Sequence, residues 1–222
     1  MRFTLALVLY RLVFILLTPL LLVVLLLRSM SHQAYRQRLF ERLGLLARDL
    51  KPHGIVVHAA SVGEVIALKP FITQLLSDYS HLPITVTTFT PTGSAQVQKL
   101  FTDKVQHCYL PLDNTFSTAL FLQRLKPKAM VFMETELWPN LIAQCKNKQV
   151  KLLLVNARLS DKSMRSYQRL AWLISPTIQS FDKILTQSQV NQDNYLAMGA
   201  STALCTLSGN LKFDISLSND LI

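Results

Sequence analysis

Apolar residues run from Phe3 to Leu27 with Arg11 as the only charge, and the sixteen residues from Leu12 to Leu27 carry none. A bilayer-spanning helix needs roughly 20 apolar residues, so residues 1–27 are predicted to form a membrane-anchor helix. Pro19 would kink it, which membrane helices tolerate. So long an uncharged run disfavours a buried core helix. The absence of an A-x-A site after it disfavours a cleaved signal peptide. A retained anchor is expected, either spanning the bilayer or embedded in one leaflet.

After Pro52 the pattern changes. Short apolar blocks predict strands at Ile55–His58, Ile84–Thr88, Val105–Tyr109, Ala129–Met133, Lys151–Val155 and Lys183–Thr186. Between them, helical spacing predicts helices at Glu64–Ser77, Ser94–Phe101, Thr115–Leu125, Asn140–Lys146, Ser163–Leu173 and Gln189–Met198. Strands alternating with helices over short connections imply a parallel sheet covered on both faces. The expectation for residues 52–210 is an α/β, Rossmann-like, doubly wound domain of about six strands. One such domain plus an appendage accounts for 222 residues. The turn after the first strand reads Ser61-Val-Gly-Glu64 and not G-x-G-x-x-G, so no dinucleotide cofactor is expected.

Charge narrows the partners. The formal net charge of +10 calls for an anionic one. Residues 28–51 hold Arg28, Arg36, Arg38, Arg42, Arg48 and Lys51 against Glu41 and Asp49. Such a basic juxtamembrane segment places everything after residue 27 in the cytoplasm. It would also attract anionic headgroups, at about 1 kcal/mol per basic residue near the surface. Tyr35–Gly44 is predicted to form an amphipathic helix along that surface. Because much of the surplus lies beside the apolar segment, a nucleic-acid partner is not expected. Cys108, Cys145 and Cys205 are odd in number and far apart, without a CxxC pair. They are expected to be reduced packing residues, with no disulfide frame and no metal site.

Open α/β sheets hold ligands at the carboxyl ends of their strands. There the sequence places Ser61, Gly63 and Glu64 after the first strand, and Thr92, Gly93 and Ser94 after the second. Glu134 and Glu136, beside Trp138, follow the fourth, and Arg158 follows the fifth. Each admits a plain reading. Ser61 and Glu64 have the spacing of a capping box. The Thr87–Ser94 run could hold a sugar or phosphate, or be an ordinary turn with Ser94 as cap. Arg158 could bind an anion or pair with one of the glutamates. Two carboxylates beside an aromatic suited to stacking on a sugar are harder to dismiss as a solvated loop.

Six segments in order then resemble one family, the 3-deoxy-D-manno-octulosonic acid (Kdo) transferases of lipopolysaccharide assembly. They are His58-Ala-Ala-Ser-Val-Gly-Glu-Val65, Val86–Ser94, His107–Asp113, Met133-Glu-Thr-Glu-Leu-Trp-Pro-Asn140, Asn156-Ala-Arg-Leu-Ser160 and Ser208-Gly-Asn-Leu-Lys-Phe-Asp214. The resemblance implies an inverting glycosyltransferase of GT-B architecture, two Rossmann-like domains facing across a cleft. It implies a lipid A precursor as acceptor at the cytoplasmic face of the inner membrane. CMP-Kdo would be the donor, bound mostly by the second domain. Glu64 would be the general base. Ser61, Gly63, Thr92, Gly93, Ser94, Glu134, Glu136, Arg158 and Lys212 would contact substrate. No metal is implied, and the sequence contains no D-x-D. Residues 211–222 would begin the linker to the donor domain, which the 222 residues do not contain. Two alternatives stand beside this enzyme reading. One is a catalytically silent, membrane-tethered module that binds lipid A. The other is a related lipid-linked GT-B enzyme using a different nucleotide sugar.

Overall fold

A computed structural model describes residues 2–31, 33–36 and 38–214. The apolar segment is one helix, α1 (Arg2–Ser31), with Pro19 inside it. An 18-residue window within Leu5–Met30 has a mean hydropathy of 2.6 and is only 6 % buried, so α1 is not a core helix. It is long and apolar enough to cross a membrane. Its buried and half-buried positions nevertheless form one stripe: Ala6, Leu7, Tyr10, Arg11, Phe14, Thr18, Leu21, Leu22, Leu25 and Ser29. Steps of one, three and four keep them on one side of the helix.

Seven strands form one parallel sheet: β1 (Ile55–His58), β2 (Ile84–Thr88), β3 (Gln106–Tyr109), β4 (Ala129–Met133), β5 (Lys151–Ala157), β6 (Lys183–Thr186) and β7 (Cys205–Leu207). Their order is β3-β2-β1-β4-β5-β6-β7, and every neighbouring pair is parallel. The strands are apolar on both faces because both faces are covered. Helices α2 (Val62–Ala67), α3 (Lys69–Asp78) and α4 (Pro91–Phe101) pack on one face through Val65, Ile72, Val97 and Phe101. On the other lie α5 (Thr115–Leu125), α6 (Pro139–Asn147), α7 (Asp161–Gln168), α8 (Ala171–Ile178) and α9 (Gln189–Ala197). Phe121, Ile142, Ile178 and Tyr195 fill the core beneath them. The chain leaves β1 toward β2 on one side and meets β4 on the other. The strand order therefore reverses between β1 and β4, and a crevice opens at their carboxyl ends.

The Rossmann-like sheet and the apolar first helix stand as the pattern predicted, with differences that have physical causes. The helix expected over Glu64–Ser77 is two, α2 and α3, because Pro70 starts a new helix and cannot donate to the old one. The helix expected over Ser163–Leu173 is likewise two. Met164 and Tyr167 of α7 pack on the main core, while Leu173 of α8 packs under α1. A seventh strand, β7, was hidden by its length of three residues. Of the linker expected over 211–222, residues 211–214 are described and form a 3-10 turn, Leu211–Asp214.

The surface helix expected over Tyr35–Gly44 is not there. Two 3-10 turns, Gln33–Tyr35 and Leu39–Leu43, stand in this region, and Gln37 lies outside the described residues. The second turn closes the open edge of the sheet. Tyr109 of the edge strand β3 donates its N–H to Glu41 (2.8 Å), and the His107 carbonyl accepts from Arg38 (2.8 Å). Arg38 and Glu41 form a bidentate pair at 2.6 and 2.9 Å. Arg42 is buried at 1 % exposure, stacks over Tyr109 and Phe89, and donates to the Phe89 carbonyl. An unpaired edge invites association with another chain, and charged side chains satisfy it here. Two of the basic residues counted toward the membrane surface thus serve the domain.

Candidate functional site

Three turns meet at the crevice. After β1, Ser61 caps α2: its hydroxyl accepts the Glu64 N–H at 3.4 Å and donates to Glu64 Oε1 at 2.9 Å. Glu64 Oε2 in turn accepts the Ala60 N–H at 2.8 Å. This is a capping-box arrangement in which the glutamate reaches the N–H one residue before the cap, so the plain reading of these residues is correct as far as it goes. It also fixes the Glu64 carboxylate at the mouth of the crevice, half-buried. Burial raises the Glu64 pKa most. The bonds from Ala60 and Ser61 pull it back, and the charges of Glu136 and Glu134 add to the rise. A carboxylate can accept about four hydrogen bonds, so two receptive positions remain. Glu64 is a fixed carboxylate with spare acceptor capacity and raised basicity.

After β4 the backbone turns sharply, with Glu134 in the left-handed region at φ 55°. Glu136 accepts the Trp138 indole N–H at 3.0 Å, and its carboxylate lies 3.5 Å from His58 Nε2. His58 is fully buried and held at Nδ1 by the Thr87 hydroxyl (3.0 Å). Its Nε2 makes no hydrogen bond among the described residues. Trp138 lies against Phe89, with ring centroids 5.6 Å apart, and remains half-buried. Glu134 meets Lys212 Nζ at 3.8 Å. The Lys212 turn is brought back to the crevice by Asn156, which sits at φ 51° where the β5 register shifts and accepts the Leu211 N–H at 3.0 Å.

The structure therefore gathers Ser61, Gly63, Glu64, Glu134, Glu136 and Lys212 around one crevice. Others go elsewhere. The cap of α4 is Thr90, which accepts from Gly93, and α4 starts at Pro91, three residues before the predicted start. Ser94 is buried inside it. Its hydroxyl meets His107 Nε2 at 2.7 Å and accepts from Arg38 at 3.4 Å. Burial lowers the His107 pKa to about 4, so that imidazole is neutral near pH 7. A Cβ on Gly93 would meet Thr90 and Thr88 at 3.1–3.4 Å, so this glycine lets α4 pack on β2. Of that trio, Thr92 is exposed, with its hydroxyl on Thr90 (3.3 Å). The Arg158 side chain is exposed and forms no ion pair among the described residues. Lys212, and not Arg158, partners the glutamates.

One organising residue carried no role in the sequence reading. Asp113, after β3, is fully buried and accepts from Tyr10 (2.8 Å) and from the N–H groups of Asn140 (3.0 Å) and Leu141 (2.8 Å). It caps α6, whose own cap position is Trp138. Arg11 donates to Asn140 at 2.8 Å and Asn114 to Thr18 at 3.3 Å. The apolar helix is thus bonded to the same strand-end rim that carries the glutamates. The signal available in sequence was three polar side chains, Tyr10, Arg11 and Thr18, on one side of an otherwise apolar helix.

Residues 37–215 match the family described as 3-Deoxy-D-manno-octulosonic-acid transferase (kdotransferase). A 3-deoxy-D-manno-octulosonic acid transferase of Haemophilus influenzae is 42 % identical over 206 residues, covering 92 % of this chain and 48 % of its own length. A bifunctional glycosyltransferase/methyltransferase of Fusobacterium nucleatum is 33 % identical over 180 residues, covering 80 % of this chain and 28 % of its own. The chain spans about half, or less, of the length of these relatives. Among solved structures, a UDP-GlcNAc 2-epimerase from Neisseria meningitidis bound to UDP-GlcNAc superposes with a TM-score of 0.53 at 14 % identity. It covers 74 % of this chain and 48 % of that one, a likeness of fold alone.

Proposed function

The chain belongs to the 3-deoxy-D-manno-octulosonic acid transferase family, as its amino-terminal domain, and from that membership we propose that it is the acceptor half of an inverting glycosyltransferase. It would transfer Kdo from CMP-Kdo to a lipid A precursor at the cytoplasmic face of the inner membrane, held there by α1. The observation that carries this reading is the Glu64 carboxylate, fixed at the crevice between β1 and β4 with its pKa raised by burial.

In the proposed reaction the acceptor hydroxyl loses its proton to Glu64 as its oxygen attacks the anomeric carbon of Kdo. The bond from that carbon to the CMP phosphate oxygen breaks, and CMP leaves with the electron pair. One displacement inverts the centre and needs no covalent intermediate. A raised pKa suits the base, since efficiency is greatest when its pKa approaches the working pH. Glu136, held by Trp138 beside His58, keeps negative charge near Glu64. Lys212, paired with Glu134, brings a cation to the same crevice. Ser61 holds the base in place and Thr92 offers an exposed hydroxyl at the next turn. Arg158, exposed on the rim, is free to meet an anionic substrate.

Gly63 gives a clean test of close approach. A Cβ built there meets nothing within 4 Å, and its helix position disfavours glycine intrinsically. Gly63→Ala is expected to leave thermal stability unchanged or raised by up to about 1 kcal/mol. If the acceptor backs onto this turn, transfer falls by about 10²-fold, the scale of a misplacement near 1 Å. Melting curves and transfer assays on the same preparation separate the two effects.

The reading as a whole is tested by joining these residues to the carboxyl-terminal half of the Haemophilus influenzae relative. Membranes containing a lipid A precursor are then given labelled CMP-Kdo or a UDP-sugar. Transfer from CMP-Kdo alone is expected. Transfer from the UDP-sugar would favour a different lipid-linked glycosyltransferase. Retained acceptor binding without transfer from either donor would favour a binding module.

A further inference from the structure

We propose that α1 lies in the plane of a single leaflet of an anionic bilayer, seated along the domain, and does not cross the membrane. This rests on the reading of α1 as a membrane anchor and goes beyond it. The seat runs from Ala6 to Thr18, whose hydroxyl accepts from Asn114. Ala6 and Leu7 pack with Ala143 of α6 and Leu173 of α8, Tyr10 donates to Asp113, Arg11 to Asn140, and Leu25 is buried near the far end. From Ala6 to Thr18 is about 18 Å of helix, at 1.5 Å per residue. That is more than half the hydrocarbon thickness of a bilayer, about 30 Å. A crossing helix that kept its seat would therefore carry Asp113, Asn114 and Asn140 into hydrocarbon. One that left its seat would strip Tyr10 and Arg11 from their partners and place Arg11 in the bilayer alone. Buried polar groups without partners are costly in protein and costlier in lipid. Lying flat costs neither.

The outward side fits this orientation. Leu9, Leu16 and Val23, seven residues apart, are 52 %, 78 % and 50 % exposed. Such a continuous apolar flank along the whole helix gives a buried depth of roughly 5–10 Å for an in-plane helix. Beside α1 on the same face of the sheet, Trp172 of α8 is 46 % exposed, an aromatic suited to the headgroup level. Next to it Lys162 and Arg165 of α7 and Arg169 just after it line an open cleft of about 420 Å³, with Asp161 the one acidic residue there. Cations placed there meet the phosphates of an anionic leaflet.

The test uses the 222-residue chain reconstituted in vesicles containing phosphatidylglycerol. Single cysteines replace Leu9, Leu16 and Val23 and carry an environment-sensitive fluorophore; the native cysteines are buried. Quenching by lipids brominated at different depths is then measured. The proposal expects one common shallow depth for all three positions. Leu16 deepest, with Leu9 and Val23 displaced by about 10 Å toward opposite faces, would mean a crossing helix and overturn the proposal while leaving the anchor reading intact. Quenching by aqueous iodide and by no brominated lipid would overturn the anchor reading and the proposal together. A second measurement is independent of the fluorophore. Cysteines at Leu5 and Met30 continue the same outward flank and should be shielded alike from an impermeant maleimide; reaction from opposite sides of the vesicle would overturn the proposal.

Discussion

With these residues joined to the relative's carboxyl-terminal half, replacing Glu64 with glutamine is expected to lower Kdo transfer by about 10²–10⁴-fold, the usual worth of a positioned general base, with the fold intact. Glutamine serves a capping box as well as glutamate does. Its oxygen can still accept the Ala60 N–H that Glu64 Oε2 now takes. Stability should not fall. Because burial raises the Glu64 pKa in the folded protein, its ionised form costs folding free energy above the ordinary carboxylate range. Removing the charge is expected to leave the melting temperature unchanged or slightly higher. Loss of transfer with a raised or level melting temperature is a combination that a purely structural role for Glu64 would not produce. Transfer within tenfold of the parent would remove Glu64 from the role of base.

The second large effect concerns stability. Asp113→Ala leaves the Tyr10 hydroxyl and the N–H groups of Asn140 and Leu141 without an acceptor in a fully buried position. Each buried donor left unsatisfied costs about 1–3 kcal/mol, and α6 also loses its cap. A total loss of about 3–5 kcal/mol is expected, a large share of a domain's net stability. Asp113→Asn should cost less, since one oxygen remains to accept.

The same residue gives a pH signature. Burial raises the Asp113 pKa from an ordinary 3.8 to about 7, against the opposing pull of its three donors and of Arg11. The folded state then holds a proton that the unfolded chain has released. The stability contributed by that proton is full below about pH 4 and is lost as pH rises toward 7. Denaturation at pH 5 and pH 8 should show the parent less stable at the higher pH. The Asn variant should lose that difference, and an unchanged difference would contradict the assignment.

Much of this fold could be read without a structure, because apolar spacing reports which positions are buried. Four of the seven strands fall at their predicted bounds, Ile55–His58 among them. The crevice was legible for a second reason. In a parallel sheet every strand points the same way, so polar residues after successive strands share one rim. That places Glu64 near Glu134 and Glu136 with no knowledge of side chains.

What spacing does not report is which partner a buried group meets. Ser94 has the position of a helix cap, yet Thr90 takes that role because Pro91 is better suited to the first turn. Arg158 and Lys212 are equivalent as charges beside the glutamates, and only the backbone turn at Asn156 decides between them. Arg38 and Arg42 counted as membrane-facing charge and are spent on the β3 edge and the Phe89–Tyr109 stack. Asp113 showed no periodicity at all. Its importance lies in contacts to residues 103 and 27 positions away in sequence.

The base assignment is tested most directly by the pH dependence of kcat/KM for Kdo transfer, which reports the free enzyme. It should be measured in the chain fused to the relative's carboxyl-terminal half and in its Glu136→Gln variant, where the amide oxygen can still accept from Trp138. The account predicts an acid limb whose midpoint lies above the ordinary glutamate value. It also predicts that the limb moves to lower pH once the Glu136 charge is gone. A rate that does not fall in acid, or a limb that Glu136→Gln leaves in place, would contradict it.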